Sequence, residues 1–272
     1  MIQAVALPQR MVFSSVWTLF WLTVRQHCRA RRLLVLGFLF LLPSVVAILA
    51  RNAIHPPRPR EIEFVTIFTL ISNALVPLTA LLYASGMIQD EVEEQTLTYL
   101  LIRPLPRWTI YVAKLLATLM VTTLLTGLFT AVTYAAVYWG TSELEGGTVA
   151  LRILKTCCLL ALALVAYCSF FGCLSLVTQR TLVAGVSYII IFEGVLANID
   201  FIVRRATVMY SFRVLAERWL PLDSRLTRLD LSVAPGTGQC VGTLLTASLV
   251  LTGIAALLFT TREFRLKTPE AS

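Results

Sequence analysis

Glu193 is the residue whose position most needs a chemical reason. It is the single charge between Thr181 and Ile199, and an ionisable group set among so many apolar residues is costly unless it faces protein or water. Two roles fit it: contact with a substrate or a proton, or an ion pair with Arg152 or Lys155. The ion pair is the plainer reading. A second group is the acidic run Asp90, Glu91, Glu93 and Glu94, followed by Arg103 and Arg107. Alone, such a run reads as a solvated helix face, and its neighbours decide whether it is more. A third group is the series Arg25, Arg29, Arg31 and Arg32, suited to anionic lipid headgroups.

Covalent chemistry finds little footing. Ser187 in Gly185-Val-Ser187 would need a base, and the two histidines, His27 and His55, lie outside the apolar stretches. For the same reason the Glu93-Glu94 pair has no intramembrane histidine with which to hold a metal. Gly236-Thr-Gly238 is not followed by the lysine that a phosphate-binding loop needs. The chain is therefore expected to be no enzyme and to bind neither metal nor cofactor itself. Its six cysteines form no CxxC pair, and four fall in apolar stretches as small buried side chains. A link from Cys157 or Cys158 to Cys240 is geometrically conceivable.

These residues must be positioned by elements that live in lipid. Of 272 residues, 57% are hydrophobic and 14% charged, with mean hydropathy +0.79, against roughly half and about a quarter in soluble domains. The net charge of +8 and pI near 9.5 fit cytoplasmic flanks and lipid phosphates, because no nucleic-acid motif accompanies them. Uncharged or nearly uncharged blocks run over 33–50, 64–87, 115–140, 156–179, 181–199 and 239–261. At about 1.5 Å per residue each approaches or exceeds a hydrocarbon core of about 30 Å. With their flanks, two of them widen to 108–140 and 152–179. Nothing alternates at period two, so the blocks are helices and not barrel strands.

Before the first block, Val12, Phe13, Val16, Trp17, Phe20 and Val24 recur at steps of three and four. With Trp21 they predict an interfacial helix over 10–32. The arginines that end it outweigh Arg51, Arg58 and Arg60 across the first span, which puts the N-terminus in the cytoplasm. Six spans then return the C-terminus there, flanked by Arg262, Arg265 and Lys267. Residues 51–63, with Pro56, Pro57 and Pro59, read as a stiff outer loop. In the external connection 200–238, Val203, Val208, Phe212, Leu215 and Trp219 stand among arginines, which predicts one or two interfacial or re-entrant helices.

Between the second and third spans, over 88–107, the acids would lead a helix at the favourable end of its dipole, and Val92, Leu97, Leu100 and Leu101 give it an apolar side. Arg103 closes it, Pro104 forbids its continuation and Pro106 stiffens the turn. Trp108, Tyr111 and Lys114 mark the interface beyond. A short rigid helix tied to a span at each end can pass on a push from a partner.

The acidic stretch followed by Gln95-Thr96-Leu97, Tyr99-Leu100-Leu101, Arg103-Pro104, Pro106-Arg107 and Lys114 resembles the motif of ABC type-2 transporter permeases. The resemblance implies an all-α integral membrane protein, one domain over 1–272. It would have six transmembrane helices, an N-terminal interfacial elbow helix and a cytoplasmic coupling helix. It also implies a separate cytoplasmic ABC ATP-binding protein, carrying ATP and magnesium. That partner would dock through Asp90, Glu91, Glu93, Glu94, Thr96, Leu97, Leu100, Arg103, Pro104 and Arg107. A second permease copy or a sister permease would complete the pathway in the plasma (inner) membrane. The function so implied is export of an unidentified substrate. The alternative is a non-transporting membrane anchor or receptor subunit of an ATPase-linked complex.

Overall fold

The computed structural model describes residues 9–29, 31–53, 57–93, 106–141, 146–178, 180–195, 207–220 and 235–261. Among them every regular element is a helix. In chain order these are α1 (Gln9–Arg29), α2 (Arg31–Arg51), α3 (Pro59–Glu63), the π-helix π1 (Phe64–Leu75), α4 (Val76–Glu93), α5 (Arg107–Tyr138) and α6 (Gly146–Val177). Then follow α7 (Thr181–Tyr188), a second π-helix π2 (Ile189–Val195), α8 (Val208–Trp219) and α9 (Thr237–Thr261). α3, π1 and α4 form one uninterrupted helical stretch.

Five of these stretches are long and apolar enough to cross a membrane: Arg32–Arg51, Pro59–Glu91, Arg107–Tyr138, Gly146–Val177 and Thr237–Thr261. Among the described residues the sixth block is met only by the apolar helix Thr181–Gly194, about 21 Å long; 196–199 lie outside them. The spanning helices overrun the uncharged blocks. Glu63, Asp90, Glu91, Lys114, Arg152 and Lys155 are all helical, because each finds a partner inside the bundle.

The winding of π1 has local causes. Pro77, at the start of α4, offers no N–H and crowds the carbonyl four residues back, and wider winding is one way a helix in lipid re-satisfies its backbone. In π1 the side chains of Thr69, Ser72 and Asn73 donate to the carbonyls of Phe64, Ile67 and Phe68, each five residues back, at 3.4, 3.0 and 3.4 Å.

α5 is the central helix, packed against α1, α2, α4, α6 and α9. α1 lays Leu19, Thr23, Val24 and His27 into the bundle and leaves Trp17 and Trp21 exposed. The expected stripe is thus divided, with Trp17 on the outer face. α8 lies within the stretch 200–238. Thr207 caps it, its hydroxyl accepting from the Tyr210 N–H at 3.2 Å, and Phe212, Val214 and Leu215 are buried against α6 and α9. All six cysteines are free, so no link joins Cys157 or Cys158 to Cys240.

Candidate functional site

Among the described residues three polar clusters, buried or part-buried, punctuate the apolar interior. The first lies where α4 ends. Gln89, Asp90 and Glu91 follow one another at about 100° per residue, so each points at a different neighbour. Gln89 Nε2 donates to Thr181 Oγ1 at 2.6 Å and to the Thr178 carbonyl at 3.2 Å. Asp90 Oδ1 takes Arg32 Nη2 at 2.8 Å. Glu91 is ion-paired with Lys114, whose Nζ also donates to the Met87 carbonyl at 2.7 Å. Arg32 reaches Asp90 by crossing Gly86; a Cβ there would collide with its guanidinium. His27 stands beside the cluster, its Nε2 on Thr118 Oγ1 at 3.1 Å and its ring edge-on to Tyr83 at 5.1 Å. Burial, with Lys114 and Arg32 adding to it, pushes the imidazole down to about 4.

This arrangement redistributes the expected site residues. Asp90 and Glu91 are engaged inside the chain. Arg32, expected at lipid headgroups, is held by Asp90 and also donates to the Leu82 carbonyl at 3.3 Å. Arg25 and Arg29 are exposed, as that role needs. Arg107 donates to the Thr260 carbonyl at 3.3 Å, where a cation suits the last turn of α9. Glu93 is the last residue of α4. The side chains of Arg31 and Glu93, and the residues Glu94, Thr96, Leu97, Leu100, Arg103 and Pro104, lie outside what is described.

At the other end of α5 the second cluster surrounds Glu63, which is fully buried. Tyr134 donates to its Oε1 at 2.9 Å, Tyr138 donates to its Oε2, and Arg152 Nε lies 3.5 Å from Oε1. The Thr156 hydroxyl is 2.8 Å from that of Tyr134. Arg51 donates to the carbonyls of Ala136 and Trp139, closing the end of α5. The two clusters are joined along α5 by a buried stripe at four-residue spacing: Lys114, Thr118, Thr122, Thr126, Thr130, Tyr134 and Tyr138, spanning about 36 Å. Thr118, Thr122 and Thr126 bond carbonyls four residues back at 2.9, 2.9 and 2.8 Å. Their polarity is thereby satisfied within the helix.

The third cluster centres on Glu193, and here the sequence expectation needs correction. Glu193 pairs with neither Arg152 nor Lys155. Arg152 belongs to Glu63, and Lys155 Nζ donates to the Trp219 carbonyl at 3.2 Å, tying α6 to α8. Counting residues along two helices gives depth but not direction around the axis, and these side chains face different neighbours. Around Glu193 stand the Tyr167 and Tyr188 hydroxyls, the Met209 N–H and, at electrostatic range, Arg213. Glu193 is 3% exposed, and neither of its carboxyl oxygens is in good hydrogen-bond geometry with any of them. Arg213 Nη2 lies on Asn73 Oδ1 at 3.3 Å, joining α8 to π1.

Glu63, Gln89 and the threonine stripe are positions that sequence reasoning passed over. A usable signal existed for Glu63: two tyrosines four residues apart in a span, Tyr134 and Tyr138, whose hydroxyls need an acceptor. Among the described residues no three His, Cys, Asp or Glu side chains come together as metal ligands.

An all-helical, multi-pass membrane protein with charges paired in its interior is the class that this fold defines. Compared with known families, residues 17–214 match the ABC-2 family transporter protein, and the chain belongs to that family, as a membrane permease of the ABC type-2 kind. Membership implies work beside an ATP-binding subunit. No curated protein gives a significant match to the chain.

Proposed function

We propose that this chain is the membrane subunit of an ABC exporter, driven by a separate cytoplasmic ATP-binding protein that carries the ATP and magnesium and docks on the segment 88–107. A second copy or a sister permease completes the pathway, and both termini face the cytoplasm at the plasma membrane. The observation that carries this reading is the anchorage of Gln89, Asp90 and Glu91 to α7, α2 and α5. A displacement applied just beyond Glu93 is passed to three helices at once, which is what a drive element needs. The Glu193 cluster favours transport over a passive anchor, since an anchor has no use for a buried carboxyl that, among the described residues, meets no well-aligned donor. The test is to purify the tagged chain from its own membranes, crosslinked, and identify what accompanies it. A protein with a phosphate-binding loop in stoichiometric amount is expected. Its consistent absence would overturn the proposal.

A further inference from the structure

The carboxyl of Glu193 borders a run of aromatic rings. Tyr188 stacks on Phe192 at 5.0 Å, lies 4.4 Å from Phe170 and meets Phe171 edge-on at 6.0 Å. Tyr167 stacks on Phe171 at 6.2 Å. The winding of π2 brings acid and rings together. In an α-helix residues five apart diverge by about 140°, whereas i→i+5 winding carries them close to one line, so Glu193 comes round towards Tyr188. The cluster runs from Phe192, which is 39% exposed at the bundle surface, to Tyr167, which is buried. Among the described residues, both oxygens of Glu193 and the hydroxyl of Tyr167 meet no well-aligned hydrogen-bond partner, although the Tyr167 and Tyr188 hydroxyls and the Met209 N–H stand nearby.

A negative group beside ring faces, themselves negative at their centres, selects positive charge. Five rings supply too few oxygens for a metal cation that keeps or replaces a hydration shell, and they suit a weakly hydrated one. Arg213 is the cation already in electrostatic range of Glu193, and Asn73 holds its guanidinium on π1. We propose that Glu193 with Tyr167, Tyr188, Phe192, Phe170 and Phe171 forms a binding site for an apolar organic cation that enters past Phe192. Resting on the reading of this chain as an exporter permease, the proposal names the substrate class.

The test needs no ATPase, so its failure would leave the permease reading intact, and failure to capture an ATPase would leave this site intact. Binding of tetraphenylphosphonium to the full chain in nanodiscs is measured by equilibrium dialysis against empty discs, with tetraphenylborate as the anion of like shape. Saturable binding of the cation and not of the anion is expected. Glu193→Gln should weaken it by about tenfold or more and Phe192→Leu by several-fold, with monodispersity and melting temperature confirming the fold. Arg213→Gln, which removes the competing charge, should strengthen it. Should Glu193→Gln not fold, Phe192→Leu at the exposed edge becomes the deciding variant. Absence of saturable cation binding, equal binding of the anion, or unchanged affinity in the variant that folds would overturn the proposal.

Discussion

Lys114 and Glu91 form an ion pair inside the bundle, with Lys114 only 2% exposed. The pair fastens α4 to the central helix α5 at the place where α4 leaves the apolar interior. Removing one member leaves the other charge buried and unmatched, which costs about 3–5 kcal/mol, while replacing both by apolar groups is far less damaging. Lys114→Met should therefore lower the melting temperature sharply, and Glu91→Leu added to it should recover much of the loss. A thermal double-mutant cycle in detergent measures this. Additive losses would show that the two act independently.

The Glu63 cluster permits a graded series. Tyr134→Phe and Tyr138→Phe each remove one donor to a buried carboxylate and should cost about 1.5–3 kcal/mol. Arg152→Ala should cost more, since it strands the charge of Glu63 itself. Glu63→Gln should make the later loss of Arg152 cheaper. Melting curves of the four single variants and of the Glu63→Gln, Arg152→Ala double rank these effects, and a Tyr138→Phe effect as large as that of Arg152→Ala would reverse the assignment of the main counter-charge.

His27 gives a pH dependence of known sign. Its folded value of about 4 lies below the ordinary 6.5, so the unfolded chain takes up the proton first as pH falls. The stability it contributes is complete above about 6.5 and is lost towards 4, by on the order of 2–3 kcal/mol at pH 4.5. Between pH 7.5 and 4.5 the native chain should lose more melting temperature than His27→Gln. Parallel losses in both would mean that the imidazole is not buried as described.

Gly185 brings α7 against α4. A Cβ there would run into the Leu81 side chain, which is fully buried and has no room to yield, so Gly185→Ala should cost about 1–3 kcal/mol. Leu81→Ala in the same chain should absorb part of that cost. Denaturation midpoints of the two single variants and the double test it.

Length and hydropathy made the membrane helices legible, because about 20 consecutive apolar residues match the thickness of the hydrocarbon core. The acids at 90 and 91 were legible as a group, but their fate was not. At 100° per residue two neighbours face different helices, and only the fold shows that Arg32 and Lys114 receive them. Glu63 was hidden for a different reason: beside Pro56, Pro57 and Pro59 it reads as loop, and its partners stand 71, 75 and 89 positions away. Glu193 stood out at once, yet its rings belong to α6, α7 and π2, and a change of helical winding that no residue pattern announces brings them to it.

The segment beyond α4 is where we propose that the ATPase docks. The direct measurement is the amount of ATP-binding protein retained on the tagged chain, native against Glu93→Lys with Glu94→Lys, with equal membrane insertion of both verified. Charge reversal should strip most of the partner, since like charges set against a contact cost several kcal/mol. Undiminished retention, with ATP-driven activity preserved, would contradict it.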